Sequence, residues 1–417
     1  MGYSVMIKGC RNSILSIVVY FNEIPADVGY AWVIVTASFV MQACAVGVVS
    51  GFGVFLEHYS NVVFPHEEKS KVAMIGNLAP FVSGIGSLVT GRVCQHFGVR
   101  ACVVAGAVFM MAGHFLASYG TQVWHFILTQ GGLVGMGAAL IYVPANVAIT
   151  DWFEKRRGLG AGLGAAGGGV GGVAFGQMNS HLLPRLGHRL TLQVNGCIVF
   201  VVLFLASTMV RRRETRSVSI DKGFDKSLVL NARFGWYAAT CFLGGLAYFV
   251  PLYFINNYAV SMDMTRLEGG YAGSAINIGS AIGRIAMGYL GDQMGYVQCY
   301  ILAIGLATLT VSLWRVSSSF GMLVVFGLLY GIPSGGYAGG FGPTCGVLFG
   351  RRQLATMMGL IKACIGIGEL IGPIVAGALL DSYNDYHLII YFTMACYGAA
   401  FLSMIATHHH LQKNPPN

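Results

Sequence analysis

Apolar runs of roughly twenty residues, the length a helix needs to cross a ~30 Å hydrocarbon core, recur from one end of this chain to the other. They constrain the fold more than any other feature. Twelve can be counted, at about residues 31–54, 72–91, 101–118, 123–148, 158–179, 191–210, 234–256, 270–290, 297–315, 320–345, 354–380 and 387–406. In hydrocarbon every backbone N–H and C=O must find a partner inside the protein, so such runs form helices. Composition agrees, since 55% of the residues are hydrophobic and only 10% charged, against about a quarter charged in soluble domains. The expected fold class is an all-α polytopic membrane protein with twelve transmembrane helices. The stretch "ILSIVVYF" at 14–21 is too short to span, and no small-residue cleavage site follows it. Residues 1–30 therefore read as an N-terminal cytoplasmic segment, not a signal peptide.

The basic residues fix the expected orientation. With both termini in the cytoplasm, the inner loops hold 17 Lys and Arg and the outer loops 6, Arg284 and Lys362 remaining inside spans. Short cytoplasmic loops carry such an excess, so the net charge of +9 reports topology rather than nucleic-acid binding. The plasma membrane is the favoured location, with an internal membrane as the alternative. The cysteines lie mostly within spans, without CxxC spacing, and read as small packing residues.

The one long polar gap, "RRRETRSVSIDKGFDKSLVLNARFG" at 211–235, divides the spans six and six. Sequence on either side repeats: "GRVCQHFG" at 91–98 faces "GYLGDQMG" at 288–295, and "RRGLGAGLG" at 156–164 faces "RRQLATMMG" at 351–359. Two pseudo-symmetric six-helix halves, 31–210 and 234–406, joined by a cytoplasmic linker at 211–233 and followed by a tail at 407–417, are a transporter architecture. The histidines of "THHHLQ" at 407–412 have no second ligand group nearby and belong to a solvated tail. No metal and no cofactor is expected.

Charge meets glycine at "ITDWFEKRRGLGAGLGAAGGGVGG", residues 149–172. Asp151, Glu154, Lys155, Arg156 and Arg157 sit in an inner loop, where they hold topology and exchange ion pairs as a gate moves. Asp292 of the repeated motif is assigned to the same gating group. Gly164, Gly168 and their neighbours strip side chains from span five, so that another helix approaches closely. In water each glycine would cost roughly 0.8 to 1 kcal/mol against alanine. A static interface is the alternative to a moving one, which is favoured because the second half repeats the arrangement at "GLIKACIGIGELIGPIVAG"; a phosphate-cradling loop does not fit, because no GxxxxGK[ST] occurs.

These pieces resemble a known family. "DVGYAW" at 27–32 resembles the DGGYGW signature of the monocarboxylate transporters, and "DWFEKRRGLGAGLGAAGGGVG" at 151–171 resembles their span-five signature YFxKRRxLAxGxAxAG. "YVP" at 142–144, "GRIAMGYLGDQMG" at 283–295 and "GIGELIGPIVAGALLD" at 366–381 complete a match over essentially the whole chain. The chain is thus similar to the major facilitator superfamily and, within it, to the monocarboxylate transporter-like family, particularly fungal-type members. The resemblance implies secondary transport by alternating access. In the proton–lactate members span one carries a lysine, and span eight an aspartate one turn before an arginine. Arg284 matches that arginine, while Ser280 and Ser50 stand at the aspartate and lysine positions, so the proton–lactate chemistry does not carry over.

Charges inside spans are costly and face a cavity or a partner. Arg284 reads as the carboxylate binder, through its planar fork, or as a structural partner to helix carbonyls. Lys362 and Glu369, seven residues apart on span eleven, share a face but exceed ordinary i,i+4 spacing, so each is expected to reach another helix or water. Glu369, Asp27 and Lys362 are the proton-coupling candidates, with capping the competing role for Asp27. Asn77, Asn146 and Asn277 join Ser50 and Ser280 as candidate substrate-binding residues, or else bind helix to helix. His114 reads as an interhelical hydrogen bonder.

The expected function is carriage of a small organic solute, a monocarboxylate favoured, with a proton as an optional co-substrate. The alternatives are a carrier of a vitamin or other solute, and a transport-dead membrane sensor. No HExxH, GxSxG or CxxC constellation supports an enzyme. The need for an accessory subunit stays open.

Overall fold

The computed structural model describes residues 29–153, 156–210, 231–350 and 354–413. Asp27, Glu154, Lys155 and most of the expected linker lie outside the described residues.

Among the described residues the secondary structure is entirely helical. Helix α1 spans Tyr30–Val63, re-starting at Val46 and Gly51 and closing in a π-helical turn at Tyr59–Val63. There follow α2 (Lys69–Phe97), α3 (Val99–Ser118) and α4, which runs from Val123 to Trp152 with a π-helical insert at Ile127–Leu133. Arg157–Met209 forms one stretch broken at Gly187 (φ 71°), giving α5 over 157–186 and α6 over 188–209. After the linker come α7 (Ala232–Ser261), α8 (Arg266–Met294), α9 (Tyr296–Val311), α10 (Phe320–Phe349), α11 (Leu354–Tyr383) and α12 (Tyr386–Lys413).

Among the described residues, ten stretches are long and apolar enough to cross a membrane. The pair α5 and α6 counts once there, and α8 is not among them. Its polar content explains this, since Ser274, Asn277, Ser280 and Arg284 interrupt the apolar run. The start of α8 carries a capping box: Thr265 Oγ1 accepts from Glu268 N at 3.2 Å while Glu268 Oε2 accepts from Thr265 N at 2.8 Å. Gly98 and Gly295, the last residues of the repeated octapeptides, adopt positive φ (84° and 96°). Each provides the left-handed corner between two helices that a side chain would oppose.

Three expectations need correction. The gap expected at 180–190 is helical except at Gly187, because a single glycine turns the chain where a polar loop was expected. The expected tail is partly helix, α12 continuing through His408, His409 and His410 to Lys413. His114 bonds within its own helix, its Nδ1 lying 2.7 Å from the Met110 carbonyl oxygen, so it does not bind across helices.

The glycines of α5 occupy two faces. Gly158, Gly162, Gly169 and Gly172 turn toward α8: a Cβ on Gly162 would lie 2.6 Å from the Arg284 carbonyl oxygen, and one on Gly169 would lie 2.5 Å from that of Asn277. Gly164, Gly167 and Gly171 turn toward α1, with Gly164 also meeting Ile149 of α4. Steps of three, four and seven residues place each set in one line, and the two lines fall on different sides of the helix. A second close seam joins α2 to α11, where a Cβ on Gly84 would lie 2.8 Å from the Lys362 carbonyl oxygen.

Polar contacts link these helices at both ends. At one end Asp381 of α11 accepts from Lys69 N (3.2 Å) and Ser70 N (3.0 Å) at the start of α2. There too Arg266 Nε of α8 reaches Glu57 Oε1 of α1 at 3.0 Å. At the opposite end Asp292 of α8 accepts from Leu159 N (3.2 Å) in the first turn of α5 and from the Tyr296 hydroxyl.

Candidate functional site

A cavity lies midway along the helices, comprising about 690 Å³ of atom-free space, part of it open to solvent. Helical spacing builds its walls. Gln42, Ala45, Val46 and Val49 form one face of α1, Lys362, Ile365 and Glu369 one face of α11, and Ala138 and Tyr142 a turn of α4. Pro80 and Ser83 enter from α2, Ala165 from α5, Tyr248 and Phe249 from α7, Arg284 from α8, and Tyr337, Ala338 and Phe341 from α10.

Arg284 is 4% exposed. Its Nη1 donates to the Ala165 carbonyl oxygen at 2.7 Å and its Nη2 to the Tyr248 hydroxyl at 3.2 Å. Nε is buried without a hydrogen-bond partner, and no carboxylate among the described residues forms an ion pair with this guanidinium. Bonding to a helix carbonyl thus occupies part of the fork and leaves a donor and a net charge over. Gly168 makes the room, since a Cβ there would collide with Nη1. Its place beside Arg284 and Val46 ties it to this guanidinium as much as to a helix seam.

Lys362 and Glu369 pair with each other, which corrects the expectation that each reaches elsewhere. Nζ donates to Oε2 at 3.3 Å, with side chains 16% and 6% exposed. Seven residues rise about 10.5 Å along a helix, yet 700° of rotation returns nearly to the same face. The lysine stem extended along that face closes the gap. Nζ also lies 5.9 Å from the Tyr142 ring centroid, within cation–π range. The cavity therefore holds two cations against one carboxylate.

The other candidates are dispersed. Asn146 stands one step behind the wall, accepting from Gln42 Nε2 at 3.4 Å and donating to the Tyr142 carbonyl oxygen at 2.8 Å. Asn277 packs against Gly172 and donates to its own helix at Gly273. Ser280 lies against Gly335 of α10, with its hydroxyl unpartnered. Ser50 and Asn77 are buried outside the cavity lining. Arg157 Nε donates to the Phe153 carbonyl oxygen at 2.6 Å, and Arg156 precedes the first turn of α5. The sequence reading missed Tyr248, Phe249, Tyr337 and Phe341, because tyrosine and phenylalanine in an apolar helix carry no mark distinguishing wall from core. Tyr142, within "YVP", did have a signal.

The ion pair yields a stability prediction. Removing one partner leaves a buried charge uncompensated, at a cost of ~3–5 kcal/mol, whereas replacing both by apolar residues is near neutral. Lys362→Met and Glu369→Leu singly are expected to lower the melting temperature of the purified protein, and the double variant to recover most of the loss. Equal or additive losses in a thermal-shift series would show that the pair does not act as a unit.

The sequence pattern of the Major Facilitator Superfamily matches residues 38–313 and again residues 258–417. The chain belongs to this superfamily. This superfamily member is an integral multi-pass membrane transporter and not an enzyme. Similar proteins include the Agnestins efflux protein AgnL12 of Paecilomyces divaricatus, 26% identical over 87% of this chain and 83% of that one. The Probable transporter MCH2 of Saccharomyces cerevisiae is 28% identical over 88% and 79%. Among solved structures, a D-xylose-proton symporter superposes with TM-score 0.72 at 12% identity, covering 90% of this chain and 97% of its own. The human organic anion transporter MFSD10 gives TM-score 0.67 at 14% identity, covering 90% and 99%. At such identities these structures establish the shared superfamily fold alone.

Proposed function

We propose that this superfamily member carries a small organic acid of the monocarboxylate class by alternating access, with Arg284 as the anchor for the carboxylate. The observation that carries the reading is the buried Arg284 fork, which has an unpartnered Nε and no ion-paired carboxylate among the described residues. A solute carboxylate neutralises the cavity and completes the guanidinium's bonds. Glu369 is the group through which a proton couples, because protonation releases Lys362 and changes the cavity charge by one. Asp27 remains the second candidate.

Uptake of labelled monocarboxylates, vitamins and polyols into proteoliposomes tests this reading. Saturable uptake of an acid, with a pH dependence flattened by Glu369→Gln, is the expected result. Transport of neutral solutes only, unaffected by competing acids, would overturn it in favour of facilitated diffusion.

The same reading has twelve crossings in two six-helix halves, with α5 and α6 as separate spans, α8 as the polar span and both termini cytoplasmic. The 17-to-6 basic bias and the equivalent corners at Gly98 and Gly295 support it. A cysteine placed at Lys222 is expected to react with an impermeant maleimide only after permeabilisation. Labelling in intact cells would reverse the orientation.

A further inference from the structure

We infer that the solute of this site is an acid with a planar aromatic body, its carboxylate on Arg284 and its ring among the tyrosines and phenylalanines beside it. The inference deepens the reading of Arg284 as anion anchor and rests on it. Tyr248 is the key residue, since its hydroxyl accepts from Arg284 Nη2 at 3.2 Å, which sets its ring one hydroxyl away from the guanidinium on the cavity wall. Phe249 stands edge-on to that ring at 4.8 Å between centroids, and Tyr337 lies 6.0 Å from it at an interplanar angle of 40°. The Tyr337 hydroxyl is spent on the Cys241 carbonyl oxygen at 2.7 Å, so its ring, rather than a polar group, is left for the cavity.

A short hydroxy or keto acid is bound by donors and acceptors clustered around its second oxygen, because leaving that oxygen unpaired in a dry site is costly. Around Arg284 the wall offers aromatic and aliphatic groups instead. Gln42 and Ser83 are the remaining uncharged, non-aromatic polar side chains of the lining. Rings prefer offset or edge-on partners at 4.5–7 Å, a preference beyond area burial alone. Walls that already meet one another at such angles suit the insertion of one further ring. The Lys362–Glu369 pair, with Lys362 near the Tyr142 ring, gives the cavity a second polar pole suited to a ring substituent able to accept a hydrogen bond.

Binding to the detergent-purified full chain, measured by calorimetry with four probes, tests the inference. The probes are trans-cinnamate, 3-cyclohexylpropanoate, lactate and cinnamamide. Cinnamate is expected to bind roughly tenfold more tightly than 3-cyclohexylpropanoate, as one added aromatic contact provides, and more tightly still than lactate. Phe249→Leu, which removes a ring without touching the Arg284 bonds, is expected to narrow the difference between cinnamate and 3-cyclohexylpropanoate to about twofold. The probe series on the unaltered protein stands even if that variant does not fold. Equal binding of cinnamate and 3-cyclohexylpropanoate would overturn the aromatic assignment while leaving Arg284 as anchor. Cinnamamide binding as tightly as cinnamate would overturn the anchor and this inference with it, as would binding of none of the four.

Discussion

Alanine at Gly162 or Gly169 is expected to cut turnover at least tenfold while leaving the amount of protein in the membrane within about twofold. At both positions the new Cβ meets backbone of α8, 2.6 Å from the Arg284 carbonyl oxygen for Gly162, and 2.5 Å from that of Asn277 with Ala281 N at 2.7 Å for Gly169. Backbone cannot turn aside as a side chain can, so the two helices must separate. Overpacking of this kind costs ~1–3 kcal/mol. The separation falls on the helix that carries Arg284, so it displaces the proposed anchor as well as the seam. Gly164→Ala is the informative contrast. Its Cβ meets the ends of Ile149 and Ser38 side chains, which can rotate, so a milder loss is expected. Gly176→Ala meets no atom within 4 Å and is expected to be silent. Initial-rate uptake normalised to surface protein measures all four. Wild-type turnover for Gly162→Ala and Gly169→Ala would mean that α5 and α8 do not need this approach.

The second large effect concerns charge without shape. Arg284→Lys keeps the cation but is expected to lose anion transport by about a hundredfold, comparable to Arg284→Ala. A guanidinium can hold the Ala165 carbonyl, the Tyr248 hydroxyl and a carboxylate at once along its planar edges. An ammonium on a shorter stem cannot span those positions. Tyr248→Phe, which keeps the ring and removes one acceptor, is expected to cost about tenfold, less than Arg284→Lys, because one hydrogen bond to a charged group contributes ~1.5–3 kcal/mol and the solute offsets part of it by taking the freed donor. Uptake of the transported acid across a concentration series separates affinity from rate for each variant. Wild-type anion transport by Arg284→Ala would remove the anchor.

Much of the helical layout was legible because hydrophobic length is a one-dimensional quantity. Arg284 stood out for the related reason that an arginine in an apolar run must answer for its charge. Contacts between distant segments were less legible. The glycines of α5 read as one stripe, and only the packed helices divide them between α8 and α1. Lys362 and Glu369 were separated by a rule for compact i,i+4 pairs that makes no allowance for a lysine stem lying along a helix. Ser50 and Ser280 were nominated by their positions in a family pattern, yet rotation about their helix axes carries them away from the cavity lining. Tyr248 and Tyr337 could not be selected from the chain's 20 tyrosines, because their role depends on which helix faces them.

Asp381 and Asp292 have a common consequence. Asp381 receives two main-chain N–H groups and Asp292 one, each at the start of a helix other than its own and at opposite ends of the bundle. A carboxylate at an exposed helix start contributes ~0.3–1 kcal/mol, a small multiple of thermal energy at most. Two such modest clasps, at opposite ends, act like counterweights on a balance: neither carboxylate by itself fixes the resting position firmly, although the Asp381 end is further held by Arg266 and Glu57. Under the proposed alternating access, solute binding at the proposed Arg284 anchor would then be enough to tip the beam, and altering a single aspartate is expected to shift which end rests open without any change to the cavity itself.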